Sequence, residues 1–221
     1  MAKRRIAAIY TGVALVKPLS DQLKETLPEF DIMNILDDSM IADIIAAGTL
    51  TQAVRRRLYS YYDAACSSGV ELILNTCSSI GDAVYAARDI FPVPIVRIDE
   101  AMVRQAVAQA KRIAILATLG TTIDPTVRLI ERCAAEAGKK VAVISVIAEG
   151  AFPAICSGDA ATHDKLIAGT AARIAKDCDI ILLAQGSMAR MEQPLRDLTG
   201  MTVLSSPALG IAMVRTILGG E

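Results

Sequence analysis

Cys77 is the residue whose position in the sequence most favours chemistry. It ends an apolar run over residues 69–77 and is followed by Ser78 and Ser79. The run has the length and aliphatic content of a buried parallel strand, and the Ser-Ser-Ile-Gly-Asp segment after Cys77 is typical of a turn into a helix. Because the N–H groups at the start of a helix favour a thiolate over a thiol, we predict a reactive Cys77 with a lowered pKa. Ligands of open α/β sheets also bind at such strand ends.

The chain contains this strand and turn twice. Residues 71–79 align without gaps with residues 179–187, which places Gln185 at the position of Cys77. The repeat predicts two similar half-chains, each of the size of a small α/β unit. The segments that open the two halves also resemble each other at nearly the same offset, over residues 5–12 and 112–120.

The composition predicts a soluble, cytoplasmic protein that binds a small ligand. With 221 residues and 53% hydrophobic content, the chain can bury one substantial core or two modest ones. No apolar stretch reaches the roughly 18 residues of a membrane span, and residues 1–5 lead into a strand rather than a secretory segment. The net charge of −1 and the small basic clusters at 3–5 and 55–57 argue against a nucleic-acid partner.

The cysteines predict neither a disulfide framework nor a metal site. Their number, five, is odd, and no Cys-x-x-Cys pair occurs, so reduced thiols fit better. Apart from Cys77, we interpret them as small apolar side chains that serve packing, namely Cys66, Cys133, Cys156 and Cys178.

Apolar runs and turn residues alternate in a pattern that predicts an α/β fold built from βαβ units. The Phe-Pro-Val-Pro segment over residues 91–94 interrupts this pattern, and we place the hinge between the halves there. The predicted strands cover residues 5–10, 30–36, 69–77, 95–98, 112–117, 140–146, 179–184 and 202–205. The predicted helices cover 17–26, 40–67 with a break near Gly48 and a cap from Asp38, Thr49 or Thr51, 80–90, 100–110, 124–137, segments of 148–177, and 207–218.

These motifs resemble those of the aspartate/glutamate racemase superfamily, which includes hydantoin racemases, maleate isomerases and arylmalonate decarboxylases. The resemblance spans essentially the whole chain. Family members carry a cysteine after a strand in each half, and residues 69–73 with Cys77 reproduce the first motif. The second motif appears as Ala-Gln-Gly-Ser-Met over residues 184–188, with Gln185 in place of the cysteine. The serines at 78–79 replace the Asn-Thr pair with which glutamate and aspartate racemases hold a substrate carboxylate.

The resemblance implies two pseudo-symmetric parallel-sheet α/β domains with the active site in the cleft between them. The implied N-terminal domain, residues 1–99, carries Cys77 and is joined by the C-terminal helix of 207–221, while the C-terminal domain, 100–206, carries Gln185. The family also implies a small carboxylate substrate, no cofactor and a homodimer. Carried over by position, the residues expected to bind the substrate are Thr11, Gly12, Ser78, Ser79, Thr118, Thr121, Thr122, Gln185, Gly186 and Ser187.

The chemistry of such a substrate limits the roles that Cys77 can play. Removing a proton beside a carboxylate creates enediolate-like charge, so the site must provide a base and preorganised donors. Two-base racemisation needs a second acid or base, and the Gln185 amide neither accepts nor supplies a proton at neutral pH. The candidates for that second group are Tyr10, Asp82 and Glu149.

Three reactions of Cys77 therefore stay open: isomerisation by covalent addition, decarboxylation with proton delivery to one face, and racemisation with an unrecognised second group. A hydrolase would need a base, and we interpret His163, the single histidine, as lying on a helix surface. The non-enzymatic alternative is a protein that binds a small carboxylate without turnover. We predict an isomerase or racemase that acts at the carbon next to the carboxylate, with a decarboxylase as the second choice.

Overall fold

The chain folds into two compact units, each with one parallel sheet. A computed structural model describes residues 4–219. The first unit runs to Ile98 and takes up the chain again at Pro207, and the second unit is Asp99–Ser206. Each sheet has four parallel strands with flanking helices, which confirms the predicted α/β class.

Within residues 4–219 the chain forms eight strands and ten helices, besides short 3₁₀ turns. The strands are β1 Arg4–Tyr10, β2 Phe30–Leu36, β3 Leu72–Asn75, β4 Ile95–Arg97, β5 Arg112–Ala117, β6 Ala142–Ile147, β7 Ile180–Leu183 and β8 Thr202–Ser205. The helices are α1 Val13–Thr26, α2 Ser39–Ala47, α3 Gln52–Ser67, α4 Asp82–Arg88, α5 Glu100–Gln109, α6 Ile123–Glu136, α7 Ala151–Cys156, α8 Ala160–Ile174, α9 Glu192–Thr199 and α10 Ser206–Ile217.

The two sheets have the same strand order, as the sequence repeat predicts. The first is ordered β2-β1-β3-β4 and the second β6-β5-β7-β8. The central strands β3 and β7 are buried at every residue, because helices cover both faces of each sheet, and this explains their uninterrupted aliphatic sequences. Both sheets reverse their strand order beside the first strand, so the carboxyl ends of β1 and β3, and of β5 and β7, form a switch point in each unit.

The first sheet carries an apolar core on each of its faces. Ala7 and Ile9 point to one face, where they pack with Leu58 and other residues of α3 and α4. Ile6 and Tyr10 point to the other face, where they pack with residues of α1 and α10. This alternation follows from the strand period of two and assigns every side chain of β1 to a defined face.

The predicted break of the 40–67 helical region near Gly48 is confirmed. Gly48 ends α2 with a φ of 69°, and the hydroxyl of Thr51, one of the three predicted caps, caps α3 by accepting from the Val54 N–H at 3.2 Å. The structure differs from the sequence prediction in three places. The segment 91–94 is not the passage between the units but lies inside the first one, where it leads into β4. Helix α9 was not predicted, and the Cys77 strand ends at Asn75.

No helix within residues 4–219 is long and apolar enough to cross a bilayer.

Candidate active site

The first unit brings Thr11 and Cys77 together at its switch point. Thr11 follows β1 and Cys77 follows β3, and these strands pair in parallel with Ile9 opposite Asn75. Thr76 joins the end of β3 to the end of β1 by hydrogen bonds, because its N–H and its hydroxyl both donate to the Ile9 carbonyl, at 3.1 and 2.8 Å. The residues that follow the two strands are thereby held next to each other.

The Cys77 sulfur is surrounded by hydrogen-bond donors. It accepts from the Thr11 hydroxyl, from the backbone N–H groups of Ser79 and Ile80, and from the Ser79 hydroxyl. The two N–H groups belong to a 3₁₀ turn over Ser78–Ile80 that directly follows the cysteine and leads into α4. Cys77 is half-buried, whereas Ser78 and Ser79 are buried. Four donors therefore converge on one sulfur atom.

The prediction of a lowered Cys77 pKa is wrong. Burial raises the pKa of this thiol above its ordinary value, and the hydrogen bonds from Thr11, Ser79 and Ile80 offset that effect only in part. Desolvation penalises the thiolate more than the donors of one short turn stabilise it. Near neutral pH Cys77 consequently carries its proton and is set up as a proton donor rather than as a resting thiolate.

Two consecutive hydrogen bonds from buried side chains hold the backbone carbonyl of Cys77 in place. The Tyr62 hydroxyl donates to Asn75 Oδ1 at 3.0 Å, and Asn75 Nδ2 donates to the Cys77 carbonyl at 3.1 Å. Asn75 and Tyr62 are both buried. Sequence reasoning missed Asn75, although an amide inside an apolar strand must find partners and is a usable signal.

The second unit places Thr118 and Gln185 where the first has Thr11 and Cys77. Thr118 follows β5 and Gln185 follows β7, which are neighbours in the sheet. The Thr118 N–H donates to Gln185 Oε1 at 2.7 Å, and Gln185 Nε2 donates to the Thr118 hydroxyl at 2.7 Å. The amide is thus fully oriented by one residue, and it brings no titratable group to this position.

The remaining predicted binding residues are placed less uniformly. Thr122 is buried and its hydroxyl donates to the Leu119 carbonyl at 2.8 Å, so it stabilises its own turn. Thr121 and Gly186 are half-buried, while Gly12 and Ser187 are exposed. In the first unit the structure brings together Thr11, Cys77 and Ser79, and in the second Thr118 and Gln185.

The three candidates for a second acid or base differ in their surroundings. Tyr10 packs in the core on the face of the first sheet opposite to the core that Cys77 contacts, and burial raises the pKa of its hydroxyl. Asp82 Oδ1 lies 3.7 Å from Nη1 of the buried Arg97. Glu149 is exposed in the second unit. Tyr10 is therefore poorly placed to exchange a proton with a substrate at Cys77.

His163 is buried, and its predicted position on a helix surface is wrong. It lies on the same face of α8 as Ile167 and Ala171, one and two helical turns further on, and this face packs into the core of the second unit. Its Nδ1 lies 2.8 Å from Asp164 Oδ1 and 3.2 Å from Arg190 Nη2. Its surroundings are those of a structural histidine.

The other four cysteines differ in burial. Cys133 and Cys178 are buried, as predicted, whereas Cys66 is half-buried and Cys156 is exposed. No group of three or more His, Cys, Asp and Glu side chains in the described part of the chain could hold a metal ion.

Comparisons with known proteins give one family. The model of the Asp/Glu/Hydantoin racemase family matches residues 8–214. Comparison with curated protein sequences finds no match. Among solved structures, a glutamate racemase isoform from Bacillus anthracis is 17% identical with a TM-score of 0.78, over 97% of this chain and 81% of that one.

Two further structures are similar in fold. An aspartate racemase from Picrophilus torridus is 11% identical with a TM-score of 0.75, over 99% of this chain and 95% of that one. An arylmalonate decarboxylase is 16% identical with a TM-score of 0.64, over 98% of this chain and 93% of that one. At these identities the likeness concerns the fold.

Proposed function

Because the chain belongs to the Asp/Glu/Hydantoin racemase family, we propose that it acts at the carbon adjacent to the carboxylate of a small acid, with Cys77 as its single reactive thiol. Family membership supports an enzyme of the racemase and isomerase kind that works without a cofactor. The substrate and the single-thiol mechanism are the parts that we propose.

The arrangement of donors around Cys77 is the observation that carries this proposal. Two hydroxyls and two backbone N–H groups reach its sulfur at the carboxyl end of a parallel strand, where open α/β sheets bind ligands. Donors in this position can stabilise a thiolate once the proton has left, and neighbouring ones can stabilise the negative charge of an enediolate. Ser78 and Ser79, both buried in the same turn, supply hydroxyls of the required type.

Gln185 supports chemistry with one thiol. Both atoms of its amide are hydrogen-bonded to Thr118, and an amide does not exchange a proton at neutral pH. Isomerisation fits one thiol if Cys77 first loses its proton to water and adds as a thiolate to a carbon–carbon double bond. The electron pair of that bond then passes into the adjacent carboxylate, the resulting single bond rotates, and the pair returns as the same sulfur leaves. Racemisation would need a second proton carrier, and the residue that aligns with Cys77 in the second half of the chain is Gln185 rather than a cysteine.

The raised pKa of Cys77 favours decarboxylation as the second candidate. In that reaction the bond from the α-carbon to one carboxylate breaks, CO₂ leaves, and the electron pair stays on carbon. Cys77 then donates its proton to that carbon and becomes a thiolate, which water reprotonates before the next turnover. A thiol that is protonated at rest suits this order of events.

Proton NMR in D₂O tests the proposal without presuming the product. The wild-type protein and the Cys77→Ala variant are each incubated with a panel of small 2-substituted carboxylates, cis-unsaturated diacids and 2-substituted malonates. We expect Cys77-dependent loss of an α-proton or a vinyl signal, or the appearance of a monoacid, which separates exchange, isomerisation and decarboxylation. Binding of panel members without any Cys77-dependent conversion would contradict enzymatic function and favour the carboxylate-binding alternative.

A further inference from the structure

Arg97 is the largest fully buried side chain of the chain's described residues, and no step of the proposed reaction uses it. It is the last residue of β4 and pairs with Asn75 of β3, two positions before Cys77. Burying a guanidinium costs free energy unless other groups compensate its charge. A buried arginine beside the cysteine strand therefore requires an explanation in terms of what it holds in place.

The guanidinium lies directly against Gly81. A Cβ atom built on Gly81 would meet Arg97 Cζ at 2.4 Å, Nη2 at 2.5 Å and Nε at 2.7 Å. Gly81 has an ordinary helical backbone, with φ −60° and ψ −32°, so its backbone does not require glycine. The close approach of the Arg97 side chain requires it.

Gly81 links this contact to the donors on the cysteine. Its N–H donates to the Ser78 carbonyl at 2.9 Å and closes the turn whose N–H groups at Ser79 and Ile80 reach the Cys77 sulfur. Just beyond it, Asp82 Oδ1 lies 3.7 Å from Arg97 Nη1. The guanidinium thus meets the turn at the residue that closes it and at the residue that follows.

Arg97 and Cys77 also share a neighbour, Tyr62. Burial is the main cause that raises the pKa of the Tyr62 hydroxyl, while Cys77 raises it further and Arg97 lowers it. Tyr62 therefore lies near both the Arg97 guanidinium and Cys77, and it is the side chain that holds Asn75 and, through it, the Cys77 carbonyl.

We propose that Arg97 is a positioning residue for Cys77: its buried guanidinium supports the turn of Ser78–Ile80 through Gly81 and so holds the N–H groups of Ser79 and Ile80 against the sulfur. The inference depends on the proposed function only in taking Cys77 as the reactive group. Arg97 acts through the turn and need not touch the substrate.

The test is the rate of alkylation of Cys77 by iodoacetamide as a function of pH, followed by mass spectrometry of the Cys77 peptide. Only the thiolate reacts, so the profile reports how well the turn stabilises it. Gly81→Ala forces the guanidinium and the turn apart and so weakens a hydrogen bond to the Cys77 thiolate. The thiolate fraction then falls, and we expect alkylation at pH 8 to slow about tenfold. Arg97→Met removes the support and is expected to slow it similarly. Exposed Cys156 in the same sample is the internal reference.

A double variant makes the test specific. If the two residues act through one contact, Gly81→Ala combined with Arg97→Met alkylates no more slowly than Arg97→Met alone, because the added Cβ no longer meets a guanidinium. Gly169→Ala is the matched control: Gly169 lies in α8, a Cβ there meets nothing within 4 Å, and the Cys77 profile stays that of the wild type.

Two results would overturn the inference. One is a wild-type Cys77 profile in folded Gly81→Ala and Arg97→Met, and the other is strictly additive slowing in the double variant. Should either single variant fail to fold, Arg97→Lys keeps the charge with a thinner side chain, and a wild-type profile in that variant is equally contradictory. The alkylation experiment uses no substrate. Its result therefore tests the role of Arg97 even if the NMR experiment finds no conversion of any carboxylate.

Discussion

Gln185 and Thr118 hydrogen-bond to each other through both atoms of the Gln185 amide, each at 2.7 Å. The Thr118 hydroxyl therefore accepts a hydrogen bond, whereas the Thr11 hydroxyl, at the same place in the other half, donates to the Cys77 sulfur. With glutamine rather than cysteine after the strand, the neighbouring threonine hydroxyl thus acts as an acceptor instead of a donor. The proton of the Thr118 hydroxyl is then directed away from residue 185.

Gln185→Leu is expected to lower the free energy of unfolding by about 1–3 kcal/mol, because the buried Thr118 N–H loses its acceptor. Urea denaturation measures this. Gln193→Leu is the matched control, since Gln193 is exposed and donates only to Asp197 on the same helix, and it should change stability by less than about 0.5 kcal/mol. Equal losses in the two variants would show that the Thr118 contact contributes nothing.

The raised pKa of Cys77 predicts a specific pH dependence of its reactivity. Alkylation of Cys77 in the folded protein should have its midpoint at a higher pH than alkylation of the same cysteine in the urea-unfolded chain. The native state holds the Cys77 proton more tightly than the unfolded state does. This contribution to the free energy of unfolding is therefore fully present below the pKa of Cys77 in the unfolded chain, and it is lost as the pH rises through the pKa of Cys77 in the folded protein. A folded midpoint at or below the unfolded midpoint would contradict the assignment of Cys77 as a resting thiol.

Gly210 allows α10 to pack closely on the end of β4. A Cβ on Gly210 would lie 2.6 Å from the Ile98 carbonyl oxygen, a backbone atom that cannot rotate away. Gly210→Ala should therefore lower the free energy of unfolding by about 1–3 kcal/mol, although alanine favours helices. Gly169→Ala, in open space on α8, should instead raise it by up to about 1 kcal/mol. Thermal unfolding compares the two, and stabilisation by both would refute the close packing.

The fold was predictable because its signals are local and repeated. Buried parallel strands need continuous aliphatic sequences, and two matching copies of strand and turn indicate two matching sheets. Helix α9 escaped prediction because it is short and amphipathic, with only Leu195 fully buried. Its position depends on contacts remote in sequence, such as the hydrogen bond from Ser205 to Glu192.

The positions of Thr11 and Cys77 at neighbouring strand ends were predictable from the sequence, whereas the electrostatics around Cys77 were not. The strand ends that carry Thr11 and Cys77 follow from the pattern, whereas the degree of burial that raises the thiol pKa depends on how helices from distant parts of the chain cover the strand. The same reason hid the burial of His163, whose polar neighbours Thr162 and Asp164 resemble a surface sequence. Arg97 likewise looks exposed in a sequence and is wholly enclosed.

The most direct test of the central claim is the rate of substrate conversion, followed by proton NMR, for three proteins: wild type, Cys77→Ser and Cys156→Ser. They are compared in D₂O on the carboxylate panel after circular dichroism has shown that each is folded. The account predicts that Cys77→Ser loses turnover by at least about 10³-fold, since a serine hydroxyl is a far weaker acid than a thiol, while Cys156→Ser keeps the wild-type rate. Turnover by Cys77→Ser at the rate of the Cys156→Ser control would contradict the role of Cys77.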